Sequence, residues 1–113
     1  MTRHFRCVIL ETPYAGDIQT NVEYARACMH DCIMRGDAPF ASHLLYTQDG
    51  VLDDAVKDQR ELGMAAGFAW IQQSVATLVY TDRGISPGME RGIAEAKRLG
   101  RPVAYRRLYP VTP

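Results

Sequence analysis

Apolar positions along the chain follow two rhythms. Four runs are strand-length: Phe5–Leu10, Ala38–Ala41, Val75–Thr81 and Pro102–Arg106. Between them, apolar residues recur every three or four positions, the spacing that gives a helix one buried face. The run Val75-Ala76-Thr77-Leu78-Val79-Tyr80-Thr81 is the clearest strand, apolar enough to be covered on both sides. In the first helical stretch, Val22, Ala25, Met29, Cys32 and Ile33 share a face. Thr20 and Glu23 have capping-box spacing at its start, and Gly36 stops it. The second helix is expected from near Asp54 to about Gln73, burying Val56, Leu62, Ala65, Ala66, Ala69 and Ile71. The small residues Ala65-Ala66-Gly67 bring it close to the sheet, and Trp70 seals the edge of that contact. The third helix opens with Ser86 as N-cap and Pro87 at the first helical position, and ends at Leu99 and Gly100. The segment Ser42–Asp53 reads as a polar loop.

Strands and helices therefore alternate as βαβαβαβ. Helical crossovers require parallel strands and right-handed connections. The economical strand order is 2-1-3-4, with Pro102 marking the last strand as an edge. The prediction is a single α/β domain over residues 1–113, Rossmann-like and three-layered, with a parallel sheet of about four strands. Ligands of such sheets bind beyond the carboxyl ends of the strands, where the winding reverses. Here that point lies between strands one and three. The loops Glu11–Asp17 and Asp82–Glu90 meet there, with Ser42–Gln48 beside the first.

Composition narrows the partners. With 13 basic and 13 acidic residues the net charge is zero, which argues against broad electrostatic binding to nucleic acid. Arg98, Arg101, Arg106 and Arg107 are a local cluster that a solvated helix end and edge strand account for. No stretch of about 20 apolar residues is present, so no membrane partner is expected. The amino-terminal residues lack a signal-peptide pattern, and the expected location is cytoplasmic. The three cysteines lack metal or redox spacing, and Cys28 and Cys32, four apart on one helix face, are poorly placed for a disulfide. All three read as reduced core residues. No metal site and no cofactor are expected.

The turn from Asp82 to Glu90 is the most informative segment for chemistry. Gly84 permits positive φ there. Ser86 and Gly88 present backbone amides at a helix N-terminus, which favours an anion, although the same residues also make a well-capped helix with no ligand. Met89 and Ile93 should face the sheet. Glu90, one residue round from Met89, is either a carboxylate aimed into the crevice or a first-turn acid that suits the helix dipole. Tyr14, between Pro13 and Gly16, either stacks on a base or stands as a surface tyrosine. Asp17 either binds a sugar hydroxyl or makes an Asx turn. His43 either contacts a phosphate or acts as a proton donor, or is a hydrogen-bonded scaffold residue.

The segment Ser86-Pro87-Gly88-Met89-Glu90-Arg91-Gly92 resembles the helix opening Gly-x-Gly-Met-Glu-x-Gly of the nucleoside 2-deoxyribosyltransferase-like superfamily. The first strand and loop, Ile9-Leu10-Glu11-Thr12-Pro13-Tyr14-Ala15-Gly16, are similar to that family's opening loop, and the chain as a whole resembles small phage and actinobacterial domains. The resemblance implies a small parallel α/β sheet and a nucleoside or nucleotide ligand. It also implies that Glu90 is a nucleophile attacking the anomeric carbon, as in an N-glycosidase or deoxyribosyltransferase. Ligand contacts would come from Tyr14, Gly16, Asp17, His43, Asp82, Ser86, Gly88 and Met89. The family's assisting Asp has no counterpart in Gly63-Met64-Ala65-Ala66-Gly67, with Asp58 and Glu61 about a turn or more away, so Asp82 is the substitute to consider. The alternative function is a non-catalytic module that senses or sequesters a nucleotide. Self-association into a homo-oligomer is expected through Tyr105, Leu108 and Tyr109.

Overall fold

A computed structural model describes residues 4–110. Four strands, β1 (Arg6–Glu11), β2 (Asp37–Phe40), β3 (Ala76–Tyr80) and β4 (Val103–Arg106), form one parallel sheet in the order β2-β1-β3-β4. The connections are α1 (Ile18–Met34), then α2 (Ser42–Leu45) and α3 (Lys57–Ala69) with a 3-10 turn over Ile71–Gln73, then α4 (Pro87–Arg98). This is the α/β class and strand order that the alternating pattern predicts.

The central strands are buried on both sides, as their unbroken apolar runs require. Val8, Leu10, Leu78 and Tyr80 face α1 and pack on Tyr24, Cys28 and Cys32. Ile9 faces the opposite layer with Ile71 and Ala96, while Val79 packs on Met89 and Ile93. Successive strand residues thus feed two cores, which is the period of two expected of a sheet covered by helices on each face.

Several local expectations are corrected. Asp17, not Thr20, caps α1: its carboxylate accepts from the Thr20 backbone N–H at 3.2 Å and the Thr20 hydroxyl at 2.7 Å. Thr20 is inside the first turn as a donor, and Glu23 is exposed with no box to close. The buried face of α1 is Asn21, Tyr24, Ala25, Cys28 and Cys32, leaving Ile33 exposed. Cys7 is also exposed, as is Arg6 beside it at the start of β1.

The segment after β2 contains α2, and α3 is shorter than expected. It turns outward the face that its alanines suggested was inward: Leu62, Ala65, Ala66 and Ala69 are exposed, as is Val56. Inward are Gly63, Met64, Gly67 and Phe68. The close approach belongs to Gly67, and its neighbour is α2 rather than the sheet, since a Cβ on Gly67 would lie 2.7 Å from both Cβ and Oγ of Ser42. Gly67→Ala is therefore expected to cost about 1–3 kcal/mol in urea unfolding, because a short side chain next to backbone cannot swing away. An unchanged midpoint would show that α2 is not held against α3.

Candidate functional site

Between the carboxyl ends of β1 and β2, α3 and the start of α4 lies a cavity of about 410 Å³, within the usual size of small-molecule sites. It occupies the side of the crevice predicted from the topology, displaced toward β2 and α3. One wall is aromatic. It carries Phe40 and Tyr46, which meet edge-on at 6.0 Å; Trp70, outside the lining, supports them, its ring 4.8 Å from Phe40 and its indole N–H donating to the Tyr46 hydroxyl at 2.9 Å. Tyr14 faces this wall from the first loop, its ring edge-on to His43 with centroids 6.4 Å apart. Ser86, Pro87, Gly88 and Met89 close the side at the α4 N-terminus. Ser86 caps that helix through the Met89 N–H at 3.3 Å, as the Ser-Pro pattern predicts, and Gly84 has φ +82°.

Glu11 is the polar group that sequence reasoning missed. It ends β1 and lies on the same sheet face as Ile9, two residues earlier, so the period of two carries it into the crevice. Its carboxyl lies against the backbone of Gly92, where a Cβ would come within 2.0 Å of Oε2. Desolvation raises its pKa to about 8. Nearby, His43 Nε2 and the Thr12 hydroxyl are 2.6 Å apart, and burial lowers the His43 pKa to about 4, so its ring is neutral at pH 7. Two titratable groups in one cavity are thus both held neutral by removal from water.

Other predicted site residues divide clearly. Tyr14, His43, Ser86, Gly88 and Met89 line the cavity. Glu90 is exposed and not among the lining residues: on α4 the cavity side carries Gly88 and Arg91, and Glu90 projects elsewhere. Asp17 caps α1, and Gly16 lies beside it at the rim of a shallower depression. Asp82 turns away from the cavity, accepting from the Tyr24 hydroxyl at 2.6 Å and from the Leu108 and Tyr109 backbone N–H groups at 2.8 and 3.1 Å. Leu108 packs against the chain's own core, which removes it from the surface proposed for self-association, while Tyr105 and Tyr109 are exposed. Glu61, near the expected partner-acid position, reaches the cavity but is held bidentately by Arg91 at 2.9 and 2.8 Å.

Asn21 connects the two loops that meet at the crevice. Its amide donates to the carbonyls of Tyr14 and Ala15 at 3.0 and 3.1 Å, and its oxygen accepts from Arg83 Nε at 3.0 Å. The β1–α1 loop and the turn after β3 are therefore fastened to one buried side chain.

Fold and cavity together define a small parallel α/β domain with a preformed pocket beside the carboxyl ends of β1 and β2. The chain belongs to the family described as "Domain of unknown function (DUF7768)", which matches residues 6–106. No curated protein matches it. Among the described residues no group of three or more His, Cys, Asp or Glu could hold a metal ion, and no helix is long and apolar enough to cross a membrane.

Proposed function

We propose that the cavity binds a nucleoside or nucleotide. The observation that carries this reading is the combination of an aromatic wall (Tyr14, Phe40, Tyr46) with a few polar groups, Glu11, His43 and Ser86, at the strand ends. Flat faces suit a base, and the polar groups at the strand ends suit its orientation. The likeness of Ser86–Gly92 to the helix opening of the deoxyribosyltransferase-like superfamily supports the same ligand class. Free cysteines fit a cytoplasmic placement. Any second copy would meet the exposed Tyr105 and Tyr109.

Calorimetry against deoxynucleosides, ribonucleosides and their monophosphates tests the reading. Binding of at least one is expected, weakened about tenfold or more by Tyr14→Ala, the scale of one lost stacking contact. No binding across the panel overturns it.

A second reading, cleavage of the N-glycosidic bond, is favoured by the protonated state of Glu11, since an acid held neutral near pH 7 can protonate a departing base. In this form the proton passes from Glu11 to the base nitrogen as the C–N bond breaks, the oxygen of water bonds to the anomeric carbon, and the proton that water loses returns to the Glu11 carboxylate. Release of free base that is lost in Glu11→Gln supports it. Loss in Glu90→Gln instead would return the role to the residue matched by the family motif.

A further inference from the structure

We propose that Glu11 is the specificity-determining residue of the cavity and acts as a neutral acid, pairing with a heteroaromatic edge that presents a ring-nitrogen lone pair beside an N–H. This rests on the nucleoside-binding reading above and names the contact that selects the base.

Three observations carry it. First, Glu11 is an acid without a partner among the described residues: no hydrogen bond and no charge there offsets its desolvation. The nearest candidate cation by sequence, Arg91 beside Gly92, is committed to Glu61 through both of its terminal nitrogens. Second, α4 approaches so closely at Gly92 that the space behind the carboxyl is filled by backbone. A ligand entering the cavity meets the carboxyl there. Third, the surroundings on its sheet face are apolar, with Ile9, Phe68, Ile71 and Met89 lining the same cavity. A carboxylate in that position is poorly solvated and has no ion-pair partner among the described residues, whereas a carboxylic acid needs only a donor–acceptor pair opposite it.

The titratable and charged groups that share the cavity with Glu11 are His43 from α2, Asp54 from the loop before α3, Arg60 and Glu61 from α3, and Arg91 from α4. Tyr14 and Tyr46 are its tyrosines. His43 stays neutral above about pH 4, and pairing lowers the Glu61 pKa and raises that of Arg91, so that couple stays charged. The titration of Glu11 at about 8 is then the event to follow. A neutral carboxyl offers one O–H donor and one carbonyl acceptor in a plane. Adenine and cytosine present the matching pair, a ring nitrogen lone pair next to an amino N–H. A glutamine side chain offers the same donor and acceptor without a proton to lose, and this separates the proposal from any role that needs a carboxylate.

The test is calorimetry of the full chain with 2′-deoxyadenosine and 2′-deoxycytidine at pH 6.5 and pH 9.5, for the wild type, Glu11→Gln and Glu11→Ala, with circular dichroism confirming the folded state of each. The expected result is wild-type affinity about tenfold or more weaker at pH 9.5, because only a small fraction of Glu11 then holds its proton. Glu11→Gln should bind within about threefold of the wild type at pH 6.5 and show no pH dependence, and Glu11→Ala should bind at least about tenfold more weakly at pH 6.5. Wild-type binding that is flat or stronger at high pH, or a Gln variant as weak as the Ala variant, overturns the neutral-acid role while leaving nucleoside binding intact. No binding by the wild type at either pH removes the binding reading and this inference with it. A ¹³C titration of the Glu11 carboxyl in the free chain gives a ligand-independent check: a midpoint near 8 is expected, and one in the ordinary carboxylate range overturns the proposal.

Discussion

Asp37→Ala is expected to lower the unfolding free energy by about 3 kcal/mol, among the largest single losses available in this domain. Asp37 opens β2 and its side chain is 1% exposed. Arg6 binds one of its oxygens through Nε and Nη2 at 3.0 and 2.9 Å, and Arg106 binds the other at 2.9 Å. Arg106 also lies 3.4 Å from the Tyr80 hydroxyl, which donates to Asp31 at 2.6 Å. One carboxylate thereby links the first two strands to the last, beneath the C-terminal end of α1. Removing it strands the largely buried Arg106 guanidinium in a protein environment, whereas Arg6, 57% exposed, can regain water. That asymmetry holds the expected cost to about 3 kcal/mol rather than the upper end for a buried triad. Urea unfolding of Asp37→Ala measures it, and a loss under about 1 kcal/mol would mean that the network contributes little. The arginines read from sequence as a solvated cluster therefore differ in kind: Arg106 is structural, and Arg98 and Arg101 are exposed.

Asp82→Asn is expected to release the segment after β4 and to cost about 2 kcal/mol at pH 7. The carboxylate is covered by that segment: its oxygens hold the Leu108 and Tyr109 N–H groups as well as the Tyr24 hydroxyl, and Arg107 is 3.8 Å away. Burial alone would raise its pKa, but the Tyr24 and backbone hydrogen bonds outweigh it, and the net shift is downward. A carboxylate whose folded pKa is depressed contributes stability that is fully present above its unfolded value. That stability disappears as pH falls through the folded value. Unfolding free energy of the wild type should therefore fall below about pH 4 by an amount missing in Asp82→Asn, with the two pH profiles converging in acid. Parallel profiles would contradict this. The result also bears on function, because Asp82 is fully engaged in the fold and free of the cavity.

The contrast between Asp82 and Glu11 shows what the sequence carried and what it did not. Strand order and parallel pairing followed from continuous apolar runs broken by Gly36, Ser86-Pro87 and Gly100, which are local signals. The partners of Asp82 did not, because Tyr24 is 58 residues away in sequence and the strap of Leu108 and Tyr109 is 26 and 27 residues away. The inward face of α3 was obscured by composition: its glycines face in and its alanines out, so apolar periodicity pointed to the wrong side. Helix α2 is only four residues long and shows no period at all. Glu11 was readable in principle, since an acid two residues after buried Ile9 at a strand's carboxyl end must point into the switch-point crevice. Its significance depended on Gly92, whose backbone packs against the carboxyl, and no local pattern announces that contact.

The central claim is that the ligand site is the cavity beside Glu11 rather than the exposed surface around Glu90. Mapping amide chemical shifts during titration with the tightest-binding nucleoside of the panel tests it most directly. The largest changes are expected on Thr12, Tyr14, His43, Gly67, Gly88 and Gly92. Changes centred on Asp82, Arg83 and Glu90, with the cavity residues unmoved, would contradict it.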